Sequence, residues 1–360
     1  MFSYVECPPQ GENRDTFCRC IKFWLILQVI MKETSVTPNS LKAWVLAARP
    51  KTLTGAAVPV LIGTMLALAD HQWQIGWLPC VLCFLFAFLM QIDANFVNDY
   101  FDWKRGNDDA ATRLGPLRAC SMGWVTPRAM QWALGVTTLV SCLVGLPLVI
   151  YGGWQMILVG LACVVFCYLY TLCLSYWGMG DLLVLVFFGL VPVALTYFLC
   201  VAPSPAGWSV ELLARHFLHP VSLAAVPLHV WLMGLACGFA IDALLIINNY
   251  RDIENDRRDG KKTLVVRVGH RGGQLLYLIV GWVAIVLTIP YSLMLQTSHM
   301  AVVVVLLLVY LPFHYKAYFH MKTIDKGREL NRVLGETARN LLFFGLCVAA
   351  GLLIELAMSK

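Results

Sequence analysis

Charge is what this chain has least of. Asp, Glu, Lys and Arg together make up 13% of its 360 residues, about half the share in an ordinary soluble domain. So little charge excludes a disordered hub and a two-domain soluble enzyme, neither of which can be wrapped in water by this composition. The eight histidines show no metal-like pairing, and the lone Cys80/Cys83 pair has no second CxxC, which argues against a structural metal site. A Gly-rich G-x-x-x-x-G-K-[ST] phosphate loop and a twelve-residue calcium loop are both missing. Thirteen cysteines is an odd count, and the ten from Cys80 to Cys347 are scattered through apolar stretches. They read as reduced, buried small hydrophobes rather than as a disulfide framework.

What the chain has is apolar length. Hydrophobic residues make up 59% of it, enough for about eight to ten membrane-crossing helices of about 20 residues each. From Trp44 onward nine apolar segments recur, at about 44–69, 76–98, 128–150, 154–174, 181–201, 228–249, 274–295, 299–318 and 336–357. They are too long for barrel strands, and backbone groups in lipid must be satisfied within their own segment. The expected fold class is therefore all-α, a multi-pass integral membrane bundle of nine transmembrane helices. Residues 1–40 form an N-terminal extension, and residues 41–360 form one membrane domain with loops at about 99–127 and 250–273. The run from Phe23 to Met31 is too short to span and lacks a convincing cleavage site, so the extension reads as a loose tail or as sequence upstream of a start at Met31.

Placement explains the net charge of +6. Of the 24 Lys and Arg residues from Lys32 to Lys360, 22 lie before the first segment or in the loops after the second, sixth and eighth; only Arg215 and Lys360 lie on the other side. By the positive-inside rule the N-terminus and these loops face the cytoplasm and the C-terminus lies outside, across a cytoplasmic (inner) membrane. The lipid bilayer is then the implied partner. Neither nucleic acid nor an obligate protein partner is needed to account for the basic excess.

The scarce acids gather in two loops on the basic side. The first reads Asn95-Phe-Val-Asn98-Asp99-Tyr-Phe-Asp102-Trp-Lys104-Arg105-Gly106-Asn-Asp108-Asp109 and runs on to Arg118; the second reads Asn248-Asn249-Tyr-Arg251-Asp252-Ile-Glu-Asn-Asp256-Arg-Arg-Asp259-Gly260-Lys261. Each follows an apolar segment, so the chain has the look of an internal repeat whose copies present acids to one face. At about 100° per residue, Asn95, Asp99 and Asp102 fall within about 60° of one another, and Asn249, Asp252, Asp256 and Asp259 within about 80°. Carboxylates stacked in this way repel unless a cation lies between them. Neighbouring Lys and Arg can neutralise either loop alone as a solvated ion-pair network. Two such loops at equivalent helix ends favour magnesium, which takes one or two carboxylates and completes its shell with water and phosphate oxygens. A magnesium–diphosphate site at a membrane face implies a substrate with a lipid tail and a diphosphate head.

Asn98-Asp99-Tyr-Phe-Asp102 and Asp252-x-x-x-Asp256 resemble the paired aspartate motifs of the UbiA-type intramembrane prenyltransferases, whose fold also has nine helices. Arg49-Pro-Lys51-Thr-Leu, Gly115-Pro-Leu-Arg118, Gly180-Asp181 and Asn249-Tyr-Arg-Asp252 running on to Gly260-Lys261-x-Thr-Leu-Val-Val-Arg267 are most similar to the branch that acts on 1,4-dihydroxy-2-naphthoate. The match begins at about residue 42. The resemblance implies Mg2+-dependent transfer of a polyprenyl group from polyprenyl diphosphate to 1,4-dihydroxy-2-naphthoate, with loss of carbon dioxide, in menaquinone biosynthesis. It implies Asp99, Asp102, Asp252 and Asp256 as catalytic metal ligands with Asn95, and Lys104, Arg118, Lys261, Asn98 and Asn249 as diphosphate-binding residues. Where the general pattern has a third Asp after Asp102, this chain has Gly106, which leaves Asp108, with Asp259 in the second loop, as further acids. The loop of residues 174–181 lacks the Pro and the basic residue often seen there.

Arg49, Lys51, Asp181 and Asp242 are acceptor-side candidates. Arg49 and Lys51 serve equally well as anchors to anionic lipid. Asp181 can cap the fifth span or face an acceptor. Asp242 lies within about 20° of Asn249 and two turns deeper, where it either faces a cavity or makes a helix–helix hydrogen bond. Asp93, about 160° from Asn95, is expected to pair between helices. Prenylation of 4-hydroxybenzoate or homogentisate would leave the metal site unchanged. A divalent-cation transporter is the other alternative, but its ligands belong near the bilayer midplane rather than at span ends.

Overall fold

The computed structural model describes residues 36–107, 113–202, 223–294 and 300–358. The expectations for residues 1–35, Asp108, Arg215 and Lys360 lie outside the described residues. Apart from the returning segment 113–126 and short connections, the described residues are helical. Two short helices, α1 (Leu41–Ala48) and α2 (Thr54–Asp70), meet at a 51° bend, with the turn Pro50–Thr52 between them. Eight further runs are each long and apolar enough to cross a membrane: α3 (Trp77–Lys104), α4 (Pro127–Gly152), α5 (Gln155–Leu174), α6 (Gly180–Val201), α7 (Leu228–Arg251), then, after the short α8 (Ile253–Arg258), α9 (Leu264–Tyr291), α10 (Ala301–Ile324) and α11 (Leu330–Met358). Counting the bent pair as one broken span gives nine.

The bend corrects the expected single segment at 44–69. Arg49 adopts a left-handed conformation (φ 51°), and Pro50 after it has no N–H to continue the α1 ladder. Helix starts follow local chemistry: the side chains of Ser40, Thr126 and Thr263 accept from the backbone N–H of Ala43, Ala129 and Val266, three residues on. α9 begins at Leu264, earlier than expected, and is kinked at Gly269 (φ 72°, ψ −177°).

The most enclosed helix is α7: 67% of its apolar stretch is buried, and it packs on α2, α6, α9 and α11. By contrast, α4 and α5 bury only 22% and 11% of theirs, so these two form an outward wall. Helices in lipid approach through small residues rather than by hydrophobic drive. Gly189 of α6 shows this against Gly234 and Gly238 of α7: a Cβ there would lie 2.6 Å from the Gly234 carbonyl oxygen and 2.7 Å from the Gly238 Cα. Neither neighbour can move without moving the helix. Gly189→Val is therefore expected to cost about 3 kcal/mol, read as a lowered thermal midpoint in detergent; an unchanged midpoint would contradict this close approach.

Two polar networks cross-link the bundle. Asp93, fully buried in α3, accepts from Thr137 (2.6 Å) and Thr138 (2.8 Å) of α4, the interhelical pairing expected of it. At the end of the bundle away from the acidic loops, Asp70 of α2 accepts from the Tyr197 hydroxyl of α6 (2.8 Å) and meets His229 Nε2 of α7 (2.9 Å). The His229 ring packs edge-on against Tyr291, 5.4 Å between centroids.

Candidate active site

An apolar cavity of about 610 Å3 runs between α2, α3, α4, α5, α6 and α7. Its lining is carbon-rich except at one end, where Gln91, Asn98, Tyr170 and Asn248 supply polar atoms. Beside that end lies a second pocket of about 50 Å3, bounded by Ser175, Asp181, Asn249, Asp256, Lys261 and Thr263. Tyr170 lines both.

The first acidic stripe does three different things. Asn95 Nδ2 donates to the Ala48 carbonyl and to Thr52 Oγ1, both at 2.9 Å, and so ties α3 to the α1–α2 bend. Asp99 is fully buried; its two carboxylate oxygens accept from the backbone N–H groups of Ala119 (2.8 Å) and Cys120 (2.9 Å). It anchors the returning chain instead of opening on the pocket. Asp102, one turn on, pairs with buried Arg118 at 2.8 Å. Asn98 faces the large cavity and accepts from Thr171 Oγ1 at 2.6 Å. Lys104, expected to bind diphosphate, is exposed over the Tyr100 ring, 6.0 Å from its centroid.

The second stripe divides too. Arg251 grips Asp252 with two nitrogens (3.0 and 2.6 Å), and its third donates to Asn331 Oδ1 of α11 at 2.8 Å. Asn331 in turn donates to the Leu114 carbonyl at 2.7 Å, so α11 ties the two acidic loops together. Asp259 meets Arg258 at 3.2 Å, on the outer side. Asn249 and Asp256 face the small pocket, where Lys261 Nζ lies 3.7 Å from Asp256. Burial pushes the Asp256 carboxyl up to about 6; Lys261 opposes this, Asp252 and Asp259 add to it, and Arg251 opposes it more weakly.

Two tyrosines that the sequence did not single out bring these parts together. Tyr170, at the last turns of α5, lies within electrostatic reach of Asp181, Asp256, Asp102 and Arg118. Tyr176 is held between Arg105 of the first loop (5.0 Å) and Lys261 of the second (5.6 Å), each a cation over its ring. Lys262 N–H donates to the Tyr176 carbonyl at 2.9 Å, and a Cβ at Gly178 (φ 76°) would lie 2.1 Å from the Lys262 carbonyl oxygen. Only glycine fits there, because the left-handed backbone and the close approach coincide.

On the acceptor side, Lys51 is exposed and Arg49 sits at the helix bend. Asp181, partly buried, and Asp242, 3% exposed, lie near one another on α6 and α7. Each has a buried Oδ1 with no hydrogen-bond partner among the described residues.

Residues 56–334 match the UbiA prenyltransferase family. The chain is 30% identical over 333 residues to the 1,4-dihydroxy-2-naphthoate octaprenyltransferase of Haemophilus influenzae, covering 90% of this chain and 100% of that one. To the protein of the same name from Mycobacterium tuberculosis it is 33% identical over 320 residues, covering 87% of this chain and 97% of that one. Its fold is similar to the solved structure of a UbiA homologue from Archaeoglobus fulgidus bound to DMAPP and Mg2+, with a TM-score of 0.55 and 14% identity over 85% of this chain and 99% of that one. Acidic loops meeting at the polar end of an intramembrane cavity are what an enzyme for lipid-tailed diphosphates requires. With sequence and fold matching over most of the length, the chain is an enzyme that belongs to the UbiA prenyltransferase family.

Proposed function

We propose that this protein transfers a polyprenyl group from polyprenyl diphosphate to 1,4-dihydroxy-2-naphthoate with loss of carbon dioxide, giving demethylmenaquinol in menaquinone biosynthesis. The observation that carries the proposal is the pocket of Asp181, Asn249, Asp256 and Lys261, which meets an apolar cavity of about 610 Å3 at Tyr170. The diphosphate head belongs with the charges, and the prenyl tail with the carbon-lined walls. The outward wall of α4 and α5 supports a tail that lies next to lipid. Identities of 30% and 33% to 1,4-dihydroxy-2-naphthoate octaprenyltransferases support the acceptor. The basic excess around the acidic loops supports a cytoplasmic site in the inner membrane.

The residues fit magnesium. Among the described residues no three His, Cys, Asp or Glu side chains form a closed metal cage, and magnesium needs none, since water and substrate phosphate complete its shell. Asp256 and Asn249 at the small pocket supply hard oxygen donors, and Asp252 lies close enough to Asp256 to act on it electrostatically. Bound there, Mg2+ supplies Lewis-acid stabilisation of the leaving diphosphate. Arg118 and Lys261 hold the negative charge that grows as the carbon–oxygen bond breaks. The allylic carbon then bonds to the ring carbon bearing the carboxylate, and carbon dioxide leaves from it. The apolar walls exclude the water that would otherwise capture the cation. Lys104 has no part in this, because its ammonium rests over Tyr100. Asp99 acts indirectly, by fixing the chain beside Arg118.

The test is an acceptor panel. Membranes containing the protein, given polyprenyl diphosphate and Mg2+, are expected to release carbon dioxide with 1,4-dihydroxy-2-naphthoate, and to lose that activity reversibly in EDTA. Transfer to 4-hydroxybenzoate or homogentisate in its place would overturn the acceptor, and full activity in EDTA would overturn the metal.

A further inference from the structure

Lys261 is the one cation among the described residues that line the small pocket. A lysine ammonium rides on a flexible four-carbon stem and loses much rotamer freedom when a ligand orders it. Neighbouring cations are spent on carboxylates, Arg251 on Asp252 and Arg258 on Asp259. Lys261 is held differently. Its backbone N–H donates to the Asp256 carbonyl at 2.8 Å. Its Nζ lies 3.7 Å from the Asp256 carboxylate, beyond hydrogen-bond reach, and 5.6 Å from the centroid of the Tyr176 ring. Neither contact takes a hydrogen bond from the ammonium. A ring face attracts the charge without accepting a directed bond, so the three N–H donors stay open to the pocket.

Tyr176 is itself firmly seated. Asn107 Nδ2 donates to its hydroxyl at 2.5 Å, Lys262 N–H donates to its carbonyl at 2.9 Å, and the Arg105 guanidinium stands over its ring at 5.0 Å. Arg105 is fixed in turn, since two of its nitrogens donate to the carbonyls of Thr171 (2.9 Å) and Leu172 (2.5 Å) in the same segment. We propose that Tyr176 is a positioning residue for diphosphate binding, whose ring holds the Lys261 ammonium at the small pocket with its donors unspent. The inference rests on the reading above that the diphosphate head occupies this pocket. A carboxylate in the place of Tyr176 would hold Lys261 more firmly, but it would consume those hydrogen bonds and repel the incoming anion. An aromatic ring does neither. The ring therefore carries the role, and the hydroxyl only orients it.

The test uses the full-length protein in lipid nanodiscs with Mg2+ and no acceptor, and farnesyl thiolodiphosphate as the probe, read as its Kd. Tyr176→Leu is expected to raise that Kd about 3- to 30-fold, whereas Tyr176→Phe keeps most of the affinity. Progressively fluorinated phenylalanines at position 176 drain the negative face of the ring at nearly constant shape, so the Kd should climb along the series. A residue that merely packs would not respond to this, and the series also serves if Tyr176→Leu fails to fold. In a Lys261→Met protein, which binds more weakly from the start, the same series should be flat. An affinity indifferent to fluorination, or one that climbs equally in the Lys261→Met protein, overturns the positioning role alone. Wild-type affinity in Lys261→Met overturns the placement of the diphosphate in this pocket and the inference with it.

Discussion

Asp256→Asn is expected to abolish prenyl transfer and, in the metal-free protein at neutral pH, to raise the thermal midpoint. The two effects share one cause. Burial lifts the Asp256 carboxyl from 3.8 to about 6, so the fold prefers it neutral. Below pH 3.8 it is protonated in both folded and unfolded chains and costs nothing. Between about 4 and 6 the unfolded chain gives up its proton while the folded one keeps it, so stability falls as pH rises. Above about 6 the whole penalty, about 3 kcal/mol, is present. Asparagine removes that penalty together with the charge that a divalent cation would neutralise. Thermal scans in EDTA at pH 4 and pH 7.5 should show the gain at the higher pH and little at the lower. In the wild type, the Mg2+ concentration for half-maximal rate should climb below about pH 6, because proton and metal compete for the same oxygens. A variant that is active, or is destabilised at pH 7.5, would show that Asp256 does not hold a cation.

Asp99→Ala should lose activity for the opposite reason. Its carboxylate takes two charge-assisted hydrogen bonds from Ala119 and Cys120 within a site of zero exposure. Removing it leaves two N–H groups buried and unpaired, a loss of about 3 to 5 kcal/mol. The turn so released carries Arg118, and with it the partner of Asp102. Activity and thermal midpoint should therefore fall together. An Asp99→Ala protein with the wild-type midpoint and a changed Mg2+ requirement would make Asp99 a ligand after all.

Why Asp99 and Asp102 part company marks the limit of what sequence shows. Helical phase put them on one stripe, and both are indeed buried, but phase gives a direction and not the chain that comes to meet it. The returning segment 113–126 covers Asp99 with backbone donors and gives Asp102 a guanidinium. The second loop was easier to read: helical phase put Asn249 and Asp256 on one stripe, and they share one pocket with Lys261, whereas Asp252 and Asp259 of the same stripe turn to arginines. The spans were legible because twenty apolar residues in a row allow little else. The break at Arg49 was not, since the residues on either side are equally apolar; Pro50 was the sole local sign. Tyr170 and Tyr176 were invisible for a similar reason, because an aromatic in an apolar run looks like packing until charged groups from other elements converge on it. Arg251 and Asn331 join across 80 residues, which no local pattern reports.

The Asp70, Tyr197 and His229 network at the far end has a bearing on the membrane itself. A bundle with a cavity of about 610 Å3 in it is a thin place in an insulator, and an elementary charge crossing it would release about 2.3 kcal/mol per 100 mV. Hydrogen bonds that lock α2, α6 and α7 to one another at the far end hold three of the cavity's walls together against that load.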